Sequence, residues 1–346
     1  KIWHIMLIGA VAKLAAQQLT PKDALAAIDW NIIAYLFGVF AIGTALYQNG
    51  ISHRIAEHFA GFSTARVSLT AFIFGFALLA AVLTNDAAAI IGTPIALVLA
   101  ARAKVNPKTF LIALCVTVTI GSMATPIGNP QNLLIATSGH LPAPIITFFV
   151  WLIVPTLICL AMASFLLSRT IKTEAFEMGE VFESAEQEAS ERLWPSLLAV
   201  ALLVVLVVGD SVIATLDIGL DVPLGAAAMV AALPIFLFGP DRKRTILSLD
   251  WATLVFFVAM FIVTGALIGS GSLQSLLGDF PKAMTEPIVT AGIAFFGSHI
   301  FSNVPLVDMY LKILEEFSTA NLMMLAAAST LAGNVFIVSA ASNVIV

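Results

Sequence analysis

The sequence predicts an all-α polytopic membrane protein, an inverted repeat with two re-entrant hairpins and two broken transmembrane helices. Three observations lead there. Of 346 residues, 60% are hydrophobic and 11% charged, against about 25% charged in an ordinary soluble domain. A water-soluble core cannot hide that much apolar side chain, so most of it faces lipid or other membrane helices. Apolar stretches of membrane-crossing length follow one another along the chain, and polar residues interrupt them at equivalent places in the two halves. The net charge of −5 comes with no basic cluster, which excludes nucleic acid as a partner. Cys115 and Cys159 each lie in an apolar run. Two isolated thiols make neither a disulfide framework nor a metal quartet and read as small buried hydrophobes. No metal site and no cofactor is expected. The chain begins at Lys1 and ends inside an apolar run at Val346, so the spans counted here are a lower limit.

A span takes about 20 mostly apolar residues. Residues 2–19, 30–50, 109–138, 145–168, 194–208, 222–239, 251–269 and 319–342 are candidates. Lys and Arg in short loops set the sides. Loops 51–66 (Arg54, Arg66), 102–108 (Arg102, Lys104, Lys108) and 240–250 (Arg242, Lys243, Arg244) read as cytoplasmic, and loop 209–221, with Asp210, Asp217, Asp221 and no base, as external. The apolar block 67–101 has both ends on the cytoplasmic side and is interrupted at Thr84-Asn85-Asp86. It is read as a hairpin whose arms, 67–83 and 87–101, are too short for comfortable spans. Two ordinary spans would also satisfy the sidedness. Residues 287–307, interrupted at Ser302-Asn303-Val304-Pro305, form the second hairpin, from outside. Residues 169–193, rich in glutamate, are read as a cytoplasmic acidic linker between a first repeat, 1–168, and a second, 194–346.

The repeat rests on an ungapped match. Asp29-Trp30 aligns with Asp250-Trp251, Phe40 with Phe261, Leu46 with Leu267 and Gly50 with Gly271. In each half an interrupted apolar segment follows, and then a span with a glycine, Gly121-Ser122 in one and Gly333-Asn334 in the other. By the sides above, 30–50 runs inward and 251–269 outward. Inverted repeats of this kind bind their cargo at the membrane midplane.

Lipid offers no hydrogen bonds, so broken backbone at membrane depth survives only when buried in protein or facing a water-filled cavity. Four breaks mark candidate substrate and ion positions: Thr84, Asn85 and Asp86; Thr125, Gly128, Asn129 and Asn132; Ser302 and Asn303; Ser339, Ser342 and Asn343. The coupling ion is read as H+ or Na+, and Asn85, Asp86 and Asn129 are where sodium would bind. A carboxylate in the bilayer centre costs about 2.5–3.5 kcal/mol on insertion scales, and two readings of Asp86 stay open: it caps a helix beginning at Ala87, or it binds a transported cation or proton. Val304 stands at the matching place in the other half, so the charge is expected on one side only. His299 lies four residues before Asn303, on one helical face with the tip, and is a candidate proton relay; a packed neutral histidine is the alternative. The breaks hold no Lys or Arg, which disfavours a multiply charged substrate held by salt bridges.

The segments TNDAAAIIGTPIALVLA and IGSMATPIGNPQNLLIA resemble the ion transporter superfamily of arsenite permeases, NhaD-type sodium/proton antiporters and citrate and divalent-anion permeases. The likeness is closest to the arsenite permease and citrate-anion permease (CitMHS-like) branch. The divalent-anion symporters carry Ser-Asn-Thr at both tips, where this chain has Thr-Asn-Asp and Ser-Asn-Val. The resemblance implies secondary active transport of a small anion or arsenite, coupled to H+ or Na+, by alternating access at a midplane site between the repeats. Sodium/proton antiport and sodium-coupled di- or tricarboxylate symport stay open beside it. It also implies a multi-pass protein of the inner or plasma membrane with lipid and a small ion as partners, and leaves a homodimer open. Zinc-protease, serine-protease and Walker motifs are missing, so no enzyme is expected. Asn129-Pro130 resembles the half-helix pores of water channels, but no second matching tripeptide occurs.

Overall fold

Single polar residues cut this apolar chain into helices. The structure, a computed structural model, describes residues 2–52, 54–55, 64–141, 143–171, 193–216, 222–271, 275, 284–314, 316–335, 343 and 346. Among the described residues the helices are α1 (Ile2–Ala15), α2 (Pro21–Ala27), α3 (Trp30–Gln48), α4 (Ala65–Val82), α5 (Asn85–Arg102), α6 (Pro107–Ser122), α7 (Pro130–Thr137) and α8 (Pro144–Thr170) in the first half. The second half adds α9 (Trp194–Thr215), α10 (Leu224–Phe238), α11 (Arg242–Leu247), α12 (Trp251–Gly269), α13 (Pro287–Phe301), α14 (Asn303–Ile313) and α15 (Thr319–Ala332). Thr20, Asp29, Thr64, Thr84, Asn106, Asn129, Asp241, Asp250 and Ser318 each cap the helix that follows by accepting a backbone N–H.

Among the described residues six helices, α3, α4, α5, α8, α9 and α12, are long and apolar enough to cross a membrane. On α8 both faces are apolar. Phe148, Leu152 and Leu160 are buried, while Val150, Val154, Ile158 and Phe165 are exposed, as befits a helix whose outer face meets lipid. The expected span 109–138 is two helices, α6 and α7, with the break between them. The expected span 319–342 is described as a helix only to Ala332, and residues 336–342, like linker residues 172–192, lie outside the described residues.

Local chemistry repeats in the two halves. Asp29 Oδ1 accepts the Ile32 N–H at 3.1 Å, and Asp250 Oδ1 the Thr253 N–H at 3.0 Å. The Trp30 indole donates to the Leu25 carbonyl at 3.3 Å, and the Trp251 indole to the Ile246 carbonyl at 2.9 Å. Helices α3 and α12 run antiparallel. Thr245, just before α12, donates to Gln48 Oε1 at 3.1 Å at one end; the Phe37 and Trp251 rings meet at 6.1 Å further along; and Gly265 sits against Ala27 at the other end. The helix preceding each packs on the opposite half. Helix α10 lies along α3, where Gly225 N–H donates to Asn31 Oδ1 at 2.8 Å and Gly38 abuts Ala228. Helix α1 lies along α12, with Gly9 facing Val263.

Both interrupted segments turn back on themselves. Along α6, Phe110 meets Phe72, Gly121 abuts Ala77, and the Thr125 hydroxyl donates to the Ala81 carbonyl, so α4 runs parallel to α6. Leu114 packs on Gly92 and Gly128 bonds to Asn85, so α5 runs antiparallel to it. The chain therefore reverses at Leu83-Thr84. The arms are longer than the sequence suggested, 18 residues each, about 27 Å at 1.5 Å per residue. Thr64 starts α4 earlier than expected, and the Thr84 cap draws Asn85 and Asp86 into the first turn of α5. In the second segment Gly297 packs on Leu306 and Tyr310 reaches back to Thr290, so α13 and α14 reverse at Ser302. Here the second arm has 11 residues, about 16 Å, half of the ~30 Å hydrocarbon core.

Candidate functional site

The first hairpin tip and the break between α6 and α7 are joined by backbone. Thr84, in extended conformation, accepts the Ala87 N–H at 3.2 Å. The Asn85 N–H donates to the Gly128 carbonyl at 2.8 Å. Gly128 is wedged so tightly against the Ser122 carbonyl that no Cβ fits. From α3, the buried Tyr35 hydroxyl donates to the Ile127 carbonyl at 3.3 Å. Scaffold, hairpin and broken helix thus converge within a few residues.

Asp86 lies in this junction. It is buried, its N–H donates to Asn85 Oδ1 at 3.0 Å, and its Oδ1 has no hydrogen-bond partner. The capping alternative for Asp86 is corrected: Thr84, two residues earlier, takes that role, because its shorter side chain reaches the Ala87 N–H from the extended residue.

Asn129 and Asn132 tie off backbone. Asn129 Oδ1 accepts the Asn132 N–H at 2.9 Å, capping α7, and its Nδ2 donates to Ser122 Oγ at 3.0 Å and Thr330 Oγ1 at 3.2 Å. Asn132 Nδ2 donates to the Ser122 and Thr125 carbonyls at 3.2 and 3.1 Å, which closes the open end of α6. The Thr330 hydroxyl donates to Asn132 Oδ1 at 3.4 Å. Thr330 belongs to α15, so one side chain of the second half secures the break of the first. Sequence reasoning missed Thr330 and Tyr35. A threonine inside an apolar helix usually bonds to its own backbone, so nothing local signals such a reach.

In the second half, Ser302 forms the tip with φ +68° and is exposed, while Asn303 beside it is buried with Oδ1 unpartnered. Asn343 is buried, donates from Nδ2 to the Gly333 carbonyl at 2.8 Å, and also leaves Oδ1 unpartnered. Ser339 and Ser342 lie outside the described residues. His299 sits in the last turn of α13 with its ring edge-on to Phe295 at 5.5 Å. The left-handed Ser302 breaks the helix between His299 and Asn303, so the helical face they were expected to share does not exist.

The expectation of charge on one side only is also corrected. Asp308, one turn past Val304 on α14, is buried; it accepts the Thr264 hydroxyl and pairs with Lys312 Nζ at 2.7 Å. The expected second hairpin stopped at residue 307. Asp308 and Lys312 at i and i+4 were the signal that was passed over.

At the tips and breaks the unpartnered buried atoms share one character. Asp86 Oδ1, Asn303 Oδ1, Asn343 Oδ1 and Asn334 Oδ1 are all acceptors. A buried acceptor is satisfied by a donor or a cation; an ionised carboxylate group is itself acceptor-only and brings neither. Among the described residues no group of three His, Cys, Asp or Glu side chains is placed to hold a metal ion.

A sequence profile of the citrate transporter family (CitMHS) matches residues 1–333. An uncharacterized transporter of Mycobacterium tuberculosis is 27% identical over 90% of this chain and 75% of its own length. The silicon efflux transporter LSI3 of Oryza sativa subsp. japonica is 26% identical over 98% of this chain and 83% of its own. The inner membrane protein YbiR of Escherichia coli is 28% identical over 88% of this chain and 77% of its own. The family and the Mycobacterium and rice relatives are named as transporters, not enzymes, in keeping with the six apolar helices of crossing length among the described residues. This multi-pass membrane protein therefore belongs to the citrate transporter family.

Proposed function

We propose that the chain is a secondary active transporter of a small hydroxyl-bearing solute of the arsenous or silicic acid kind, coupled to Na+ or H+ at Asp86. The observation that carries this reading is the buried Asp86 carboxylate, with one oxygen unpartnered, at a junction where a hairpin tip is bonded to a helix break. Neutral hydroxylated acids offer donors to the orphan acceptors. The name of the rice relative, a silicon efflux transporter, points the same way. The site residues are Thr84, Asn85, Asp86, Ser302, Asn303 and Asn343, with Thr125, Gly128, Asn129 and Asn132 holding the frame.

In this reading the halves are inverted repeats, the hairpins re-enter the membrane, and the site alternates between the two sides. The matching caps, the antiparallel α3 and α12 and the short α14 support it. Loops 51–66, 102–108 and 240–250 face the cytoplasm on the Lys and Arg they carry. A second reading, sodium-coupled carriage of a carboxylate, is favoured by the family's description; there, bound sodium would offset the charge of the anion.

The test is flux into proteoliposomes under imposed sodium and pH gradients, with arsenite, silicic acid and citrate offered in turn. The reading expects uphill accumulation of a neutral acid, dissipated by collapsing one ion gradient, and its loss in Asp86→Asn protein of unchanged melting temperature. Citrate accumulation alone selects the second reading. Downhill flux alone means a channel, and unchanged coupling in Asp86→Asn removes Asp86 from the mechanism.

A further inference from the structure

We infer that Asp308, Thr264 and Lys312 form a second monovalent-cation site, between α12 and α14, in which the Lys312 ammonium is a tethered competitor that sodium displaces. This deepens the carrier reading and rests on it for the use of the cation; binding itself is tested apart from transport.

The arrangement is a socket for one positive charge. Asp308 is 3% exposed. Lys312 Nζ lies 2.7 Å from Asp308 Oδ2 and 3.4 Å from Thr264 Oγ1, and 5.5 Å from the centre of the Phe261 ring. The Thr264 hydroxyl donates to the same carboxylate oxygen and leaves its lone pairs toward the ammonium. A carboxylate, a hydroxyl oxygen and a π face are groups that bind a small cation as readily as an ammonium.

Two features separate this from a fixed structural pair. Lys312 is reachable: its side chain is 32% exposed, while that of Asp308 is 4% exposed. The ammonium can therefore withdraw along its flexible stem and leave the carboxylate to another cation. The fold does not need a polar cluster here. Thr264 aligns with Gly43, and where Gly43 meets the second arm of the first hairpin it does so against Ala87, with no polar atom within 4 Å of an added Cβ. A buried ion pair rarely stabilises more than well-packed apolar groups would, and ionisable residues inside membranes mark function by default. Among the described residues, the helices packed on α14 bring no other charge to the socket. Helices α7, α12, α13 and α15, which pack on α14, carry no other Asp, Glu, Lys or Arg, and the titratable groups nearby are His299, edge-on to Phe295, and Tyr310, bonded to Met284.

Sodium binding to the purified full chain in detergent decides the matter. It is measured by titration calorimetry and by melting temperature in sodium chloride against choline chloride. If the ammonium holds the socket about nine-tenths of the time, removing it raises apparent sodium affinity about tenfold. Lys312→Met is expected to show that gain, with Asp86→Asn in the same background leaving it intact. Asp308→Asn combined with Lys312→Met is expected to erase it. Lys312→Gln, which keeps a polar head near Asp308, is read by the same criterion where Lys312→Met is not recovered folded. An unchanged sodium affinity in both Lys312 variants overturns the proposal, as does a gain that persists without the Asp308 carboxylate. Solute carriage with no such gain refutes this site and leaves the carrier reading; the gain without any carriage refutes the carrier reading and leaves the site.

Discussion

The contact between scaffold helix and second hairpin arm differs sharply between the halves. In the first, Gly43 of α3 presses on Ala87 so closely that a Cβ on Gly43 would lie 2.8 Å from that of Ala87. In the second, Thr264 of α12 meets Asp308 of α14 through a hydrogen bond and Lys312 completes an ion pair. The tips differ as well. The first is capped by Thr84, bonded to Gly128, and carries Asp86 with an oxygen unpartnered. The second turns on an exposed left-handed Ser302, and its charge sits a turn deeper, already paired. A related backbone path therefore carries unrelated chemistry. One hairpin makes an apolar contact along its second arm and carries a buried carboxylate at its tip, whereas the other is polar along its second arm and carries the amide of Asn303 beside its tip.

The sharpest way to break this contrast is to loosen the pinned tip. Gly128→Val is expected to abolish recovery of folded protein, because the Ser122 carbonyl leaves no room for any Cβ and the Asn85–Gly128 bond must part. Overpacking ordinarily costs about 1–3 kcal/mol, and here three backbone atoms of Ser122 lie within 2.8 Å of the added Cβ, so the loss is expected to exceed that range. The control belongs to the other hairpin. Gly292 of α13 has open space where a Cβ would go, so Gly292→Ala is expected to match the parent or gain up to about 1 kcal/mol from helix propensity. Thermal melts in detergent, with gel-filtration profiles, measure both. Equal losses in the two variants would mean that the hairpins are equally constrained.

A milder test transplants chemistry across the halves. Gly43→Thr places the Thr264 side chain at the dry contact, where it meets Ala87. A destabilisation of about 1–3 kcal/mol is expected from overpacking. Thr264→Gly removes a buried hydroxyl that donates to Asp308, so it should lose about 1–3 kcal/mol and weaken the sodium response of the Asp308 socket. The same melts and the calorimetric titration read both outcomes. If Gly43→Thr were tolerated, α3 and α5 would separate more readily than their packing implies.

Much of this was legible in the sequence because lipid makes polar residues conspicuous. The Asp29-Trp30 and Asp250-Trp251 match marked two related spans, and the polar interruptions in long apolar runs marked both reversals. Where polar groups meet each other, the sequence was less informative. Asn129 and Asn132 read as ligands, yet an amide both donates and accepts, and only the folded chain assigns Asn129 to the Ser122 and Thr330 hydroxyls and Asn132 to the Ser122 and Thr125 carbonyls. Thr84 and Asp86 are both able to cap, and the extended backbone of Thr84 decided between them. Asp308 escaped notice because the comparison of halves stopped at Val304, whereas the partners of Asp308 lie one turn on, at Lys312, and on another helix, at Thr264.

The smallest expected effect probes how the halves are joined. Thr330 accepts from Asn129 Nδ2 at 3.2 Å and donates to Asn132 Oδ1 at 3.4 Å, so Thr330→Val removes two bonds across the interface while keeping the side-chain shape. Interhelical hydrogen bonds in membranes average about 0.6 kcal/mol each, with about 1.7 at most, and both distances here are long, so a loss of about 1 kcal/mol is expected. Asn129 keeps its bond to Ser122 and Asn132 its bonds to the α6 carbonyls, so the break should retain its local shape and the first-half tip its bond to Gly128. What should change is coupling between halves: in a double-mutant cycle with Asn129→Ala, melting temperatures should be non-additive. Additive losses would mean that the break of the first half and α15 of the second are energetically independent, and that the threonine is incidental to how the halves hold each other.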